Sequence, residues 1–182
     1  MPVGTWNCFS EKSLVRVYDD DKEFYRVLPI DEVSKGDYIQ SFQLLEGIFK
    51  FTIEEVMDVS IGDANALIPS KALQEIVVLK NGEEKRLVLT KHHYVYLKRD
   101  GEIIKTTVED ARNDDLFILF DYENETLVPS FIKMFETKNI NETEKINNVC
   151  NIFTRSFNLI VDDFAATCLT TANEAEIKNC FN

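Results

Sequence analysis

The stretch "VYDDDKEFYRVLPIDEVSKGDYI" (17–39) returns in altered form as "VYLKRDGEIIKTTVEDARNDDLF" (95–117), displaced by 78 positions. In each copy a Val-Tyr strand end runs through a charged turn into a second strand. A short acidic segment follows, "IDEV" or "VEDA", and then an Asp and a third strand. Val17 lies over Val95, Tyr18 over Tyr96 and Asp37 over Asp115. A self-match at one fixed displacement marks a supersecondary unit used twice, so two duplicated halves related by a pseudo-twofold axis are expected.

Around this repeat, short runs rich in Val, Ile, Phe, Tyr and Thr recur every ten or so residues: "SLVRVY", "FYRVL", "DYIQSF", "FKFTIEEV", "EIVVLK", "KRLVLT", "HYVYL", "EIIKTT", "LFILF", "FIKMF" and "FNLIV". Turn signals such as "DDDK", "KNGEEK", "KRDGE" and "DYENET" separate them. No long window keeps a helical period, so the fold class is all-β with one or two short helical turns. "ETKNINETEKINN" (136–148) reads as a polar surface excursion.

At 182 residues the chain is long enough for one buried core, and nothing in its composition separates two domains. Acidic residues outnumber basic ones 32 to 20, for a net charge of -12. Such a field repels nucleic acid and anionic lipid. No run has the eighteen or so apolar residues of a membrane helix, and "MPVGTW" lacks the features of a signal peptide, so a monomer without stable membrane insertion is expected. Cys8, Cys150, Cys168 and Cys180 form no CxxC pair and no metal-ligand spacing with His92 or His93, so no metal or other cofactor is expected. Asn124 and Asn141 sit in N-x-T sequons, usable only in a secretory pathway.

Both histidines fall in "RLVLTKHHYVYL". Read as one continuous strand, alternation places Leu87, Leu89, Lys91, His93 and Val95 on one face and Val88, Thr90, His92, Tyr94 and Tyr96 on the other. One histidine of the pair therefore points with the more apolar set, unless a bulge intervenes; His92 faces away from His93 as a surface or second-layer residue. On residues alone His93 is either a structural imidazole or a catalytic one, and Cys8 either a small packing residue or a nucleophile.

"CFSEKSLVRV…VLPIDEVSKGDYI…TIEEVMDVS…LTKHHYV…FTRSFNLIVDDFAATC" resembles the autoprocessing domain of hedgehog proteins and the related inteins, the Hint family. Cys8 stands where that family begins, "IDEVSKGDYI" matches its V-x-x-L-x-x-G-D-x-V stretch, and Thr90 to His93 match its T-x-x-H motif. Asp58 in "VMDVS" and the closing segment through Cys168 match the hedgehog branch. The resemblance covers residues 8 to about 171. It implies an all-β horseshoe of two duplicated halves, with residues 1–7 a remnant of the upstream partner and 172–182 a tail.

The chemistry so implied is self-cleavage of the Asn7–Cys8 peptide. The Cys8 thiol attacks the Asn7 carbonyl, His93 protonates the departing nitrogen, and Thr90 orients the carbonyl or the imidazole. Asp58 then activates a sterol hydroxyl or water, and Cys168 is a second thiol able to pair with Cys8 or exchange with the thioester. Each also has a plain structural reading, Asp58 as a turn residue and Cys168 as a buried small side chain. The chain's own N-terminal segment is the expected substrate, a sterol the suspected second one, and the secretory pathway or the extracellular space the implied location. Two departures stand out: Asn7 occupies the place of the usual Gly, and only fourteen residues follow Cys168. An intein-type ending would use Asn179 beside Cys180, but Lys178 stands where inteins carry His. A noncatalytic β-domain binding partners through its acidic face is the remaining alternative. Cys150, Cys180 and His92 receive no role.

Overall fold

The computed structural model describes residues 9–19, 24–63, 73–121, 123–130 and 146–170. These form fifteen strands: β1 Phe9–Ser10, β2 Leu14–Asp19, β3 Phe24–Pro29, β4 Tyr38–Leu45, β5 Ile48–Glu55, β6 Asp58–Asp63, β7 Leu73–Lys80, β8 Glu83–Thr90, β9 His93–Arg99, β10 Glu102–Thr107, β11 Leu116–Asp121, β12 Thr126–Ser130, β13 Asn148–Phe153, β14 Asn158–Val161 and β15 Phe164–Thr170. Two 3-10 turns, Ile30–Glu32 and Val108–Asp110, are the only helical elements among the described residues. Three antiparallel sheets result, ordered β6-β13-β1-β8-β7, β10-β9-β11-β15-β14 with β12 on β11, and β3-β2-β4-β5.

The repeat is a repeat of structure. β2, β3, the first 3-10 turn and β4 have the order of β9, β10, the second 3-10 turn and β11. Its hinge is copied bond for bond. The Asp37 carboxylate accepts the Ser34 N–H at 2.9 Å, and the Asp115 carboxylate accepts the Arg112 N–H at 2.7 Å. Register corrects one part of the sequence alignment. β2 pairs β3 through Val17 and Arg26, whereas β9 pairs β10 through Leu97 and Ile104. Val17 is therefore the counterpart of Leu97, and Tyr18 of Lys98, not of Val95 and Tyr96. Four residues separate Asp19 from Phe24 but only two separate Arg99 from Glu102, and the gapless overlay hid this difference. A strand displaced by two keeps every side chain on its original face, so the apolar pattern survives the error.

The expected strands form wherever they are described; "FIKMF" and most of the polar excursion, 136–145, lie outside the described residues. β1, β6, β12, β13 and β15 were not among the expected runs. β15 reads "FAATCLT", of small residues, and β12 contains Pro129, which is tolerated because β12 pairs on one side only. The main core gathers Phe9, Val15, Ile39, Leu89, Val95, Phe117, Ile152 and Phe164 from all three sheets. A second cluster, built on Phe42, Ile118, Phe120 and Ile160, lies under β5 and is edged by Phe49, Phe51 and Tyr96.

Candidate functional site

The T-x-x-H motif does not lie within one strand. Thr90 ends β8 in the first sheet, Lys91 and His92 turn, and His93 opens β9 in the second. The chain changes sheets at this corner, so the motif spans a bend and not a straight run. The alternation holds for Leu87, Leu89, His93 and Val95, which are fully buried, but Thr90, expected on the opposite face, is fully buried as well. Outside the bend, Glu109 of the second 3-10 turn donates its N–H to the Lys91 carbonyl at 3.0 Å. Its carboxylate lies 3.1 Å from His92 Nδ1 and 3.5 Å from Lys91 Nζ. His92 is thus a half-exposed residue of the bend.

His93 has no exposed surface. Its ring stands 4.4 Å from that of Phe9, tilted at 48°, and Nε2 is hydrogen-bonded to the carbonyl of Thr167. A carbonyl only accepts, so Nε2 carries the proton and Nδ1 presents a bare lone pair. No hydrogen-bond partner of Nδ1 exists among the described residues. Burial holds the imidazole well below its ordinary value, at about 4, and the bond to Thr167 offsets only part of that effect. At neutral pH His93 is therefore an uncharged, buried base.

Phe9 fixes where this base lies along the chain. β1 is the middle strand of its sheet: Phe9 is opposite Cys150 of β13 on one side and Leu89 of β8 on the other. One residue along from those partners lie Asn151 and Thr90, both buried. Asn7 and Cys8, like Asn179 and Cys180, lie outside the described residues. In the sequence Cys8 immediately precedes Phe9, whose ring lies against the imidazole.

Cys168 follows the residue that holds His93. Its N–H donates to the Phe157 carbonyl at 2.9 Å and its carbonyl accepts from Asn151 Nδ2 at 3.0 Å. It is fully buried, and burial raises the thiol to about 12. Cys150 is likewise buried and raised to about 12. Neither is a thiolate near neutrality. Asp58 stands apart: it opens β6 opposite Phe153 of β13, half-buried, and accepts its neighbour Val59's N–H at 2.9 Å. β6 lies two strand spacings, about 10 Å, from β1. The sites thus brought together are Phe9, Thr90, His93 and the neighbourhood of Cys168. Asn151 and Thr167 went unnoticed in the sequence, although an Asn inside "NVCNIF" was a sign of a buried polar contact. No group of three or more His, Cys, Asp or Glu among the described residues could hold a metal ion.

Three antiparallel sheets with one unit used twice make up a Hint-type, intein-like fold. No protein-family profile matches the chain, and a search of characterised proteins by sequence finds no match. Solved structures do match. An intein from a hyperthermophile aligns with a TM-score of 0.68 at 10% identity, covering 88% of this chain and 99% of its own. A KlbA intein precursor from Methanococcus jannaschii aligns at 0.61 and 15%, covering 96% and 97%. A bacterial intein-like domain from Clostridium thermocellum aligns at 0.54 and 13%, covering 88% and 97%. At these identities the likeness is one of fold.

Proposed function

We propose that the chain is a self-processing domain of intein-like type, extending over residues 8–171, which cleaves its own Asn7–Cys8 peptide. One observation carries the reading: the buried, neutral imidazole of His93, with Nδ1 bare among the described residues, lies against the ring of the residue that follows Cys8. The Cys8 sulfur attacks the Asn7 carbonyl carbon, a C–S bond forms, and the C–N bond to Cys8 breaks. The thiol proton passes to Nδ1 and from there to the departing nitrogen. An imidazolium whose ordinary charge is resisted by burial is a strong donor to that nitrogen. Thr90, buried at the end of β8 and one residue along from the partner of Phe9, would orient the scissile carbonyl or the imidazole.

The test is to incubate the folded protein with dithiothreitol or hydroxylamine and weigh the products. Release of residues 1–7 supports the thioester; an unchanged mass in a folded sample rejects it. Cys8→Ala should abolish the release, and normal behaviour of that variant would favour a noncatalytic binding domain.

Fate of the thioester separates the finer readings. The intein likeness of the fold favours a second cut after Asn179, visible in the same spectrum, although Lys178 lacks the imidazole that would assist it. Transfer to a sterol hydroxyl requires Asp58, and Asp58→Ala would then spare thiol-induced release while abolishing transfer. Loss of both together makes Asp58 structural.

A further inference from the structure

β15 does not run straight past His93. On β9, Val95 and His93 are two residues apart, but their partners on β15 are Ala166 and Thr170, so β15 bulges across Thr167–Leu169. A bulge takes backbone groups out of the ladder and re-aims them. Here the Thr167 carbonyl is turned onto the imidazole.

The bulge is fastened residue by residue. The Thr167 hydroxyl accepts the Leu169 N–H at 3.0 Å and has the Tyr94 and Leu169 carbonyls each at 3.2 Å for its own proton. The Cys168 N–H donates to Phe157 at 2.9 Å. The Cys168 carbonyl accepts from Asn151 Nδ2 at 3.0 Å, while Asn151 Oδ1 accepts the Ile152 N–H at 3.0 Å, which fixes the orientation of the amide. Asn151 is also the β13 residue one step along from the partner of Phe9. One buried side chain on β13, the strand paired with β1, therefore reaches the bulge that holds the proposed base.

We propose that the Thr167–Leu169 bulge, fastened by the Asn151 amide and the Thr167 hydroxyl, fixes the tautomer of His93 and so aims a bare Nδ1 at the scissile peptide. Asn151 and Thr167 are positioning residues: neither moves a proton, and each acts through the Thr167 carbonyl. The reverse tautomer would set the Nε2 lone pair against a carbonyl oxygen, leaving two buried acceptors face to face. The catalytic consequence rests on the role given to His93 above, but the tautomer itself does not.

The test uses the full chain labelled with 15N-histidine. With only two histidines, a His92→Asn variant assigns the spectrum. Long-range proton–nitrogen correlations should show His93 as a single Nε2–H tautomer. Asn151→Asp keeps the size and the acceptor oxygen but removes the donor; Thr167→Val keeps the shape but removes the hydroxyl. Both should populate the two tautomers and slow thiol-induced release of residues 1–7, by up to about a hundredfold. Thr167→Ser should restore both readouts. If both variants fold with a single Nε2–H tautomer and wild-type release, the inference is overturned. If the unaltered protein releases nothing, the cleavage reading fails, and the tautomers of the variants still decide the role of the bulge. Should Asn151→Asp not fold, the Thr167→Val and Thr167→Ser pair decides on the same spectra.

Discussion

Replacing His93 with Ala would remove the buried base at the β8–β9 corner, and thiol-induced release should fall by roughly a hundredfold to ten-thousandfold. The same residue writes itself into stability. Its folded-state value of about 4 lies below the ordinary value near 6.5 of the unfolded chain. Its contribution is thus full above pH 6.5 and lost as the pH falls toward 4, a difference of about 3 kcal/mol. Denaturant unfolding across that window should show the slope in the wild type and lack this part of it in His93→Gln. A second residue-scale prediction concerns Asp115, which is fully buried and takes both hydrogen bonds of the Arg99 fork at 2.7 Å. Burial pushes its carboxyl up, but Arg99 and the Arg112 N–H outweigh this and hold it below the usual range. Asp115→Ala takes the acceptor from the Arg99 fork and the Arg112 N–H, leaving Arg99 its 3.1 Å bond to the Asp110 carbonyl, and should cost roughly 3 kcal/mol in urea unfolding.

Among the elements, the β14–β15 turn binds the three sheets to one another. Asp162 donates its N–H to the Leu14 carbonyl and accepts the Leu14 N–H on Oδ1, both at 2.9 Å, tying the turn to β2. The Asp163 carbonyl accepts the Phe120 N–H of β11 at 2.7 Å, and its carboxylate lies 3.5 Å from Lys85 of β8. Both Asp residues are left-handed, with φ of 48° and 71°, where the other tight turns of this kind, Glu46-Gly47, Asn81-Gly82 and Asp100-Gly101, end in Gly. The strain of about 1 kcal/mol is offset by these anchors. Burial raises the Asp162 carboxyl to about 6, against the bonds from Leu14 and Ser13. Because that value exceeds the unfolded one, its stabilisation is full below about pH 4 and lost as the pH rises through 6. His93 and Asp162 therefore oppose each other between pH 4 and 6.5. Asp162→Asn should steepen the loss of thermal stability on acidification through that window; an unchanged slope would show that the carboxyl titrates normally.

Across the whole molecule, the strands are assembled from distant parts of the chain. β1 is flanked by β8 and β13, and β9 by β10, β11 and β15, so the last described strands complete sheets begun by the first. A chain ending at residue 145 lacks β13, β14 and β15, leaving β1, β6 and β9 each short of a neighbour. It should show no cooperative unfolding transition by circular dichroism, and adding a peptide of residues 146–182 should restore one. Pairing between the two ends also predicts slow folding, in the millisecond-to-second range of all-β proteins, measurable by stopped flow.

Period-two patterning and turn chemistry made most strands legible, because a half-buried strand must alternate and a tight hairpin must carry residues that accept a left-handed backbone. The duplication was legible too, since both copies keep Asp37 and Asp115 for one hinge bond. The burial of His93 followed from the same alternation. What the sequence could not disclose were the contacts made by strands with no signature of their own. β15 is built of small residues and β13 carries an Asn in an apolar run, and both form because neighbours on each side offer them hydrogen bonds. Only the tertiary structure decided that the T-x-x-H motif turns a corner between sheets, that β15 bulges beside it, and that Thr167 and Asn151 hold the imidazole's surroundings. Local pattern records which face of a strand is buried; which carbonyl meets a buried ring depends on registers set by pairing over more than a hundred residues, as between Phe9 and Cys150.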